Sequence, residues 1–343
     1  MATVPIVPVE IWSDLYKVSE DFRDLAPWEF MEGGDVFGVV NPEKQEAGYC
    51  CVMGQLGEVF GMAVYLGSEG LALLEELFAE EGPANPADAV LRKNCLMVEY
   101  VGSGEVEKED KAVLKKLGLK YKGRSAWPIF RSLRPGAAPW FLEEWEARFL
   151  TVILQQAIDV CARVRAKPDL LTPSRDELYF VRVPESKDGK IEWNDRWVEP
   201  EPYKKPELPK LAFDEIRFAT AKKKAKHVDL VWEMELTMVP MPVMDRDRPY
   251  FLRFFMIVDR KSGYMFNAEP MDPFKCNELL LPKILDIIEK TGVMPKTVLF
   301  RNGELRSLLN DPLERMGIEA KLVRELPVVD KAYEGMMQFF GKR

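Results

Sequence analysis

The chain has 343 residues, of which 47% are hydrophobic and 30% are charged, a globular composition long enough for two or three domains. The formal net charge of −8 argues against a surface that coats nucleic acid, because phosphate binding requires a concentrated positive face. The only histidine is His227, which excludes any metal site that requires two histidines.

The cysteines and the lack of long apolar runs indicate in which cellular compartment the protein is expected. The five cysteines are widely spread and lack the paired spacing of a zinc site or disulfide framework. No basic region followed by an apolar core opens the chain, and no apolar run is long enough to span a bilayer. We therefore expect reduced, buried thiols and a cytoplasmic protein without membrane association.

The N-terminal half is predicted to form an arm and an α/β domain. Residues 1–27 are the predicted arm, and they contain a short amphipathic helix over 11–25. The α/β domain is predicted over 28–170. Its main elements are strands at 36–40, 48–53, 59–65 and 95–101, and helices at 71–80, 108–117 and 138–167.

A hairpin and a proline-rich linker are predicted over 171–210, and a C-terminal domain is predicted over 211–343. This domain begins with a helix over 213–226 that has a lysine-rich end. The elements that follow are strands at 228–243, 250–258 and 263–269, a helix at 279–290, a strand at 297–300, a helix at 304–315, a strand at 318–323 and a helix at 329–340.

The predicted fold class is α/β with mixed α+β sheets, and the two domains share an order of elements. The segment Phe37-Gly38-Val39-Val40-Asn41 parallels Phe255-Met256-Ile257-Val258-Asp259, and each is followed by a Gly-Tyr pair. The N-terminal domain is therefore a candidate divergent copy of the C-terminal domain. Coincidence is the alternative, because hairpin–helix–strand–helix is a common order.

Four short motifs follow one another in the C-terminal domain. Glu235 stands between Trp232 and Thr237, Asp259 to Ser262 form a predicted turn, Arg301 precedes Asn302-Gly303, and Glu334 lies on the predicted last helix. In this order they resemble the integrase and transposase branch of the RNase H-like fold. The resemblance implies three strands, a helix, a strand, a helix, a strand and a last helix. It also implies acidic side chains that hold two metal ions.

Arg301 stands where the resemblance implies a catalytic acid. A guanidinium stays charged and has no acceptor atom, so it repels metal ions and cannot bind them. We therefore predict a degenerate, non-catalytic RNase H-like core used for binding or assembly. No cofactor is predicted, and Arg301 is expected to pair with Glu235 or Glu334.

Two other functions remain open on the sequence. The first is a metal-dependent nuclease or phosphoryl-transfer enzyme that binds Mg²⁺ or Mn²⁺ through Glu235 and Glu334, with Asp259 or Glu304. The second is nucleic-acid binding through the basic run Lys222, Lys223, Lys224 and Lys226. Such a run is usually a solvated helix face, so nucleic acid is disfavoured. The partner stays open between another protein and a second copy of the chain.

The whole chain also resembles a prokaryotic family that joins two domains of unknown function. The residues that carry this resemblance are Trp28-Glu29-Phe30-Met31, Phe37-Gly38-Val39-Val40 and Gly48-Tyr49-Cys50-Cys51-Val52-Met53-Gly54, with Tyr65-Leu66-Gly67 and Gly70-Leu71. This resemblance implies no particular activity.

Overall fold

A computed structural model describes residues 2–83, 86–209, 211 and 213–340. The chain divides into two compact units. Unit 1 comprises Met1–Glu80, Arg92–Lys205 and Met244–Pro249. Unit 2 comprises Glu81–Leu91, Pro206–Val243 and Tyr250–Arg343.

The described residues contain helices interspersed with groups of consecutive strands, which confirms the predicted mixed α/β class. The helices are α1 (Val9–Leu25), α2 (Gly67–Phe78), α3 (Pro86–Arg92), α4 (Lys108–Leu117), α5 (Glu144–Ala166), α6 (Glu215–Lys224), α7 (Cys276–Thr291), α8 (Gly303–Arg315) and α9 (Pro327–Phe340), with short 3-10 helices at Pro27–Glu29 and Pro168–Leu171. The strands are β1 (Phe37–Val40), β2 (Ala47–Met53), β3 (Phe60–Leu66), β4 (Cys95–Val101), β5 (Trp127–Leu133), β6 (Tyr179–Lys187), β7 (Lys190–Val198), β8 (Lys226–Val243), β9 (Tyr250–Asp259), β10 (Met265–Met271), β11 (Val293–Phe300) and β12 (Glu319–Leu322).

Unit 1 contains a seven-stranded sheet in the order β5-β4-β3-β2-β1-β6-β7. Neighbouring strands are antiparallel except for β1 and β6, which are parallel. Helix α1 packs against α5, and its residues Leu15 and Phe22 are buried in the same core as Leu150 and Leu154. The segment predicted as an arm is therefore part of unit 1, because an amphipathic helix is stabilised by burying its apolar stripe.

The predicted hairpin is present as β6 and β7, but it belongs to unit 1 and not to a separate linker segment. Its turn places Asp188 and Gly189 at φ of 52° and 75°, as a two-residue hairpin turn requires. Strand β6 then extends the sheet by pairing with β1, with Phe37 opposite Phe180. From 199 to 209 the chain has no helix or strand.

The long helix of unit 1 begins later than predicted, at Glu144 instead of Ala138. Glu143 is the N-cap, and it forms a capping box with Glu146 that satisfies two backbone N–H groups of the first turn. Just before it, Trp140 forms a β-bridge with Ser132. Local capping and strand pairing therefore override the apolar pattern at this end.

Unit 2 contains a five-stranded sheet in the order β10-β9-β8-β11-β12. Strands β8, β9 and β10 pair antiparallel, while β11 is parallel to both β8 and β12. Alternate residues of β8 and β9 face opposite sides. On one side Trp232 and Phe255 share a core with α7 and α8, and on the other Met256 and Val258 pack with Val329 of α9.

The strand pairings do not support the predicted duplication. In unit 2 the strand after the first helix, β11, pairs parallel with the first strand of its meander, β8. In unit 1 the corresponding strand, β4, pairs antiparallel with the third strand, β3. A copy would keep the pairing partner, so the shared order of elements reflects a common pattern and not a common topology.

All five cysteines are free and buried, as predicted. Burial raises the pKa of the Cys95 and Cys161 thiols to about 12, because a low-dielectric interior disfavours the thiolate. No helix in the described residues is long and apolar enough to cross a bilayer.

Candidate functional site

The sheet of unit 2 reverses its strand order between β8 and β11. The chain leaves β8 through β9 to β10 on one side, and it continues from β11 to β12 on the other. In open α/β sheets, ligands bind outside the carboxyl ends of strands at such a reversal. Phe300, the last residue of β11, pairs with Met234 of β8. Arg301 follows Phe300 and Glu235 follows Met234, so both residues lie at this reversal.

Arg301 is held there between two carboxylates. Its Nε donates to Glu235 Oε2 at 3.0 Å, and its Nη2 lies 3.0 Å from the same oxygen. Its Nη1 donates to the two carboxylate oxygens of Asp330 at 2.9 and 3.2 Å. Burial opposes the positive charge of Arg301, but Glu235 and Asp330 outweigh it and raise the pKa of the guanidinium. The side chain of Glu235 is 0% exposed, so it requires this partner.

The predicted pairing of Arg301 with Glu235 is therefore present, but the second acid is Asp330 and not Glu334. Asp330 lies in the first turn of α9, where it faces Arg301, whereas Glu334 lies one turn further on and is exposed. An acid in the first turn of a helix also suits the helix dipole. This preference for an acid in the first helical turn is the sequence feature that could have identified Asp330.

Glu233 is a further buried acid that the motifs did not single out. Its Oε2 accepts hydrogen bonds from the backbone N–H groups of Val328 and Val329 at 2.9 and 3.0 Å, and so it caps the first turn of α9. Arg260 Nε lies 3.6 Å from its other oxygen. The sequence feature that could have identified Glu233 is its spacing from Glu235, because residues 233 and 235 of a strand lie on the same face of the sheet.

The other acids considered for metal binding have separate roles. Asp259 Oδ2 accepts from the backbone N–H and hydroxyl of Ser262 at 2.8 and 2.6 Å, which forms the predicted turn. Glu304 follows the N-cap of α8, where Asn302 Oδ1 accepts from its N–H. Across the described ranges, no three His, Cys, Asp or Glu side chains are arranged to hold a metal ion.

The lysine run lies at the end of α6. Lys222, Lys223 and Lys224 are exposed in its last turn, where cations interact favourably with the helix dipole, and Lys226 is exposed at the start of β8. On the same helix, Arg217 pairs with Asp286 and Glu289. The lysines therefore form a solvated helix end, with Asp286 and Glu289 of α7 beside the same helix.

A cavity of about 530 Å³ opens beside Arg301 within unit 2. Arg324, which follows β12, lines the cavity with an exposed side chain, and no hydrogen bond or ion pair joins that side chain to another described residue. The lining residues are Glu81, Gly82, Arg301, Leu322, Val323 and Arg324.

Two family models match the chain, one in each half. Residues 12–182 match a domain of unknown function (DUF7309), and residues 217–337 match another domain of unknown function (DUF6930). The predicted combination of two domains of unknown function is thereby confirmed. No curated protein and no solved structure gives a significant match.

Proposed function

We propose that unit 2 is a degenerate RNase H-like core that binds a ligand or partner and does not catalyse phosphoryl transfer. The relation is supported by the order of its elements, with three strands followed by helix, strand, helix, strand and helix. It is also supported by the positions of Asp259 at the end of β9 and Arg301 directly after β11, with Glu235 within β8 next to the residue that pairs with the end of β11.

The main evidence for a loss of catalysis is the position of the Arg301 guanidinium between Glu235 and Asp330. Two carboxylates from different elements approach one cation within 3.2 Å, as they would approach a metal ion. Mg²⁺ needs oxygen ligands at about 2.0–2.1 Å in octahedral geometry, and Arg301 supplies none. The positive charge at the carboxyl end of β11 is therefore supplied by the side chain of Arg301.

The test is Mn²⁺ binding measured by calorimetry on wild type and Arg301→Asp. Wild type is expected not to bind, because Arg301 neutralises the two acids. The variant is expected to bind, because a third carboxylate then joins Glu235 and Asp330, and Mn²⁺ should raise its unfolding temperature. Arg324→Asp is the matched control, since it makes the same charge change at the same cavity without contacting Glu235.

Two outcomes would contradict the proposal. Mn²⁺ binding by wild type that Glu235→Gln abolishes, together with cleavage of an oligonucleotide, would favour the metal-dependent enzyme. Absence of binding by folded Arg301→Asp, with circular dichroism as the check on folding, would remove the main support for the RNase H-like relation.

A further inference from the structure

We infer that the cavity beside Arg301 is an oxyanion site, which binds a carboxylate or phosphate group through Arg324 and the open edge of the Arg301 guanidinium. This inference names the ligand class for the binding function proposed above and rests on that proposal. It depends on three properties of the cavity, namely its place in the sheet, its two arginines and its remaining walls.

The first property is position. The cavity is lined by the residues that directly follow β11 and β12, Arg301 and Val323 with Arg324. These two strands are parallel, so their carboxyl ends lie at the same edge of the sheet, on one side of the reversal between β8 and β11. Such an edge is where α/β sheets hold their ligands. A volume of about 530 Å³ is also in the usual range for a small-molecule site.

The second property is the pair of arginines. The hydrogen bonds of Arg301 to Glu235 and Asp330 come from Nε and Nη1, and Nη2 lies 3.0 Å from Glu235 Oε2. Nη2 carries two of the five N–H groups of a guanidinium, and one oxygen contact leaves at least one of them for a ligand. The two carboxylates fix Arg301 in place, so it would lose little side-chain entropy when a ligand binds.

Arg324 supplies the second donor group. Its guanidinium has no side-chain partner among the described residues, and it can present two parallel N–H groups to an oxyanion. A lysine would present only a point charge. The combination of a fixed arginine with an uncommitted one is the reason for assigning an oxyanion to this cavity.

The third property is the rest of the wall. Glu81 is the acidic residue among the lining side chains, and its charge opposes a second negative charge on the ligand. Leu322 is 54% exposed and, with Val323, offers an apolar surface to the uncharged part of a ligand. The cavity therefore favours a monoanion that carries an apolar group over a compact dianion.

The experiment is titration calorimetry with benzoate and with inorganic phosphate, in EDTA and at constant ionic strength. Wild type is expected to bind both. Arg324→Gln is expected to weaken each by about tenfold or more, since hydrogen bonds to charged groups are strong, and Arg324→Lys should recover part of the loss. Glu81→Gln is expected to tighten phosphate more than benzoate, because it removes repulsion of the more highly charged ligand.

Arg175→Gln is the matched control, because Arg175 is an exposed arginine of unit 1 without a side-chain partner in the described residues. It should leave both affinities unchanged. No binding of either probe by wild type, no effect of Arg324→Gln, or equal weakening by Arg175→Gln would overturn the inference. Because EDTA removes divalent metals, these results are independent of the Mn²⁺ test, and either proposal can fail alone.

Discussion

Each unit contains a glutamate that is almost fully buried and held by an arginine, and the two differ in what surrounds the pair. Glu146 of unit 1 is 1% exposed and lies 2.9 Å from Arg134 Nη2. Glu235 of unit 2 is 0% exposed and lies 3.0 Å from Arg301 Nη2. By burial and ion pairing alone the two sites are equivalent.

The two glutamate sites differ in their other contacts. Glu146 Oε1 also accepts from the Ser132 hydroxyl at 2.6 Å, and its Oε2 accepts from the backbone N–H of Glu143 at 2.7 Å. Both oxygens therefore join strand β5 to the start of α5, a structural role. Arg301 instead lines an open cavity. A buried ion pair marks a candidate site only when one partner also faces space that a ligand can enter.

The largest effect is expected from Arg301→Ala, which leaves Glu235 buried without its cation. Breaking a buried pair from one side costs about 3–5 kcal/mol, and we expect that loss in the free energy of unfolding by urea. Arg301→Met combined with Glu235→Gln should recover most of it, because the buried charge of Glu235 is removed together with its partner. A loss below about 1 kcal/mol would show that Glu235 is solvated or protonated in the folded protein.

A smaller effect is expected from Glu146→Ala in unit 1. The substitution removes the capping box of α5 and the acceptor for Ser132, at a cost of about 2–3 kcal/mol in the free energy of unfolding. Arg134 is 35% exposed and keeps Glu143 at 2.8 Å, so little charge is left unpaired. If Glu146→Ala costs more than Arg301→Ala, the comparison between the two sites is wrong.

Glu233→Gln tests the buried acid that caps α9. The amide oxygen keeps an acceptor for the N–H groups of Val328 and Val329, but the negative charge at the helix N-terminus is lost. We expect a loss of about 1 kcal/mol, measured by thermal unfolding. Glu304→Gln is the control, since Glu304 lies in the first turn of α8 behind an N-cap that Asn302 already provides. An equal loss in both variants would argue against a specific cap.

The smallest effect concerns Glu99, a half-buried carboxylate of β4 for which no arginine hydrogen bond is found in the described residues. Burial raises its pKa above the ordinary value of 4.5, so the folded state binds the proton more tightly than the unfolded state. Its contribution to stability is therefore fully present below pH 4.5 and is lost as the pH rises. Glu99→Gln removes this dependence, and it should gain stability relative to wild type between pH 4 and pH 7.

Urea unfolding of both proteins across this pH range would check the expectation. Glu177→Gln, a change at an exposed glutamate of unit 1, should show no such trend. A gain that is the same at every pH would mean that proton binding at Glu99 is not its cause.

Much of the fold was predictable because the signals are local. The apolar run in β9 and the glycine caps of α4 and α7 placed these elements to within a few residues. The order of elements in unit 2 was predictable for the same reason. The pairing of β4 with β3 in unit 1 was not, because a strand carries no local record of its neighbour in the sheet.

For the candidate site, the sequence by itself determined that Arg301 stands where a metal-binding acid was expected. An arginine side chain has no acceptor atom and keeps its positive charge in any surroundings. The sequence also placed Glu235 in an apolar strand, where a carboxylate needs a partner. Only the tertiary structure decided that the second acid is Asp330, that Glu233 caps α9 and that Arg324 faces the same cavity as Arg301. These choices depend on how α9 and β12 pack beside β8 and β11, and contacts between residues far apart in the chain are set by packing and not by local sequence.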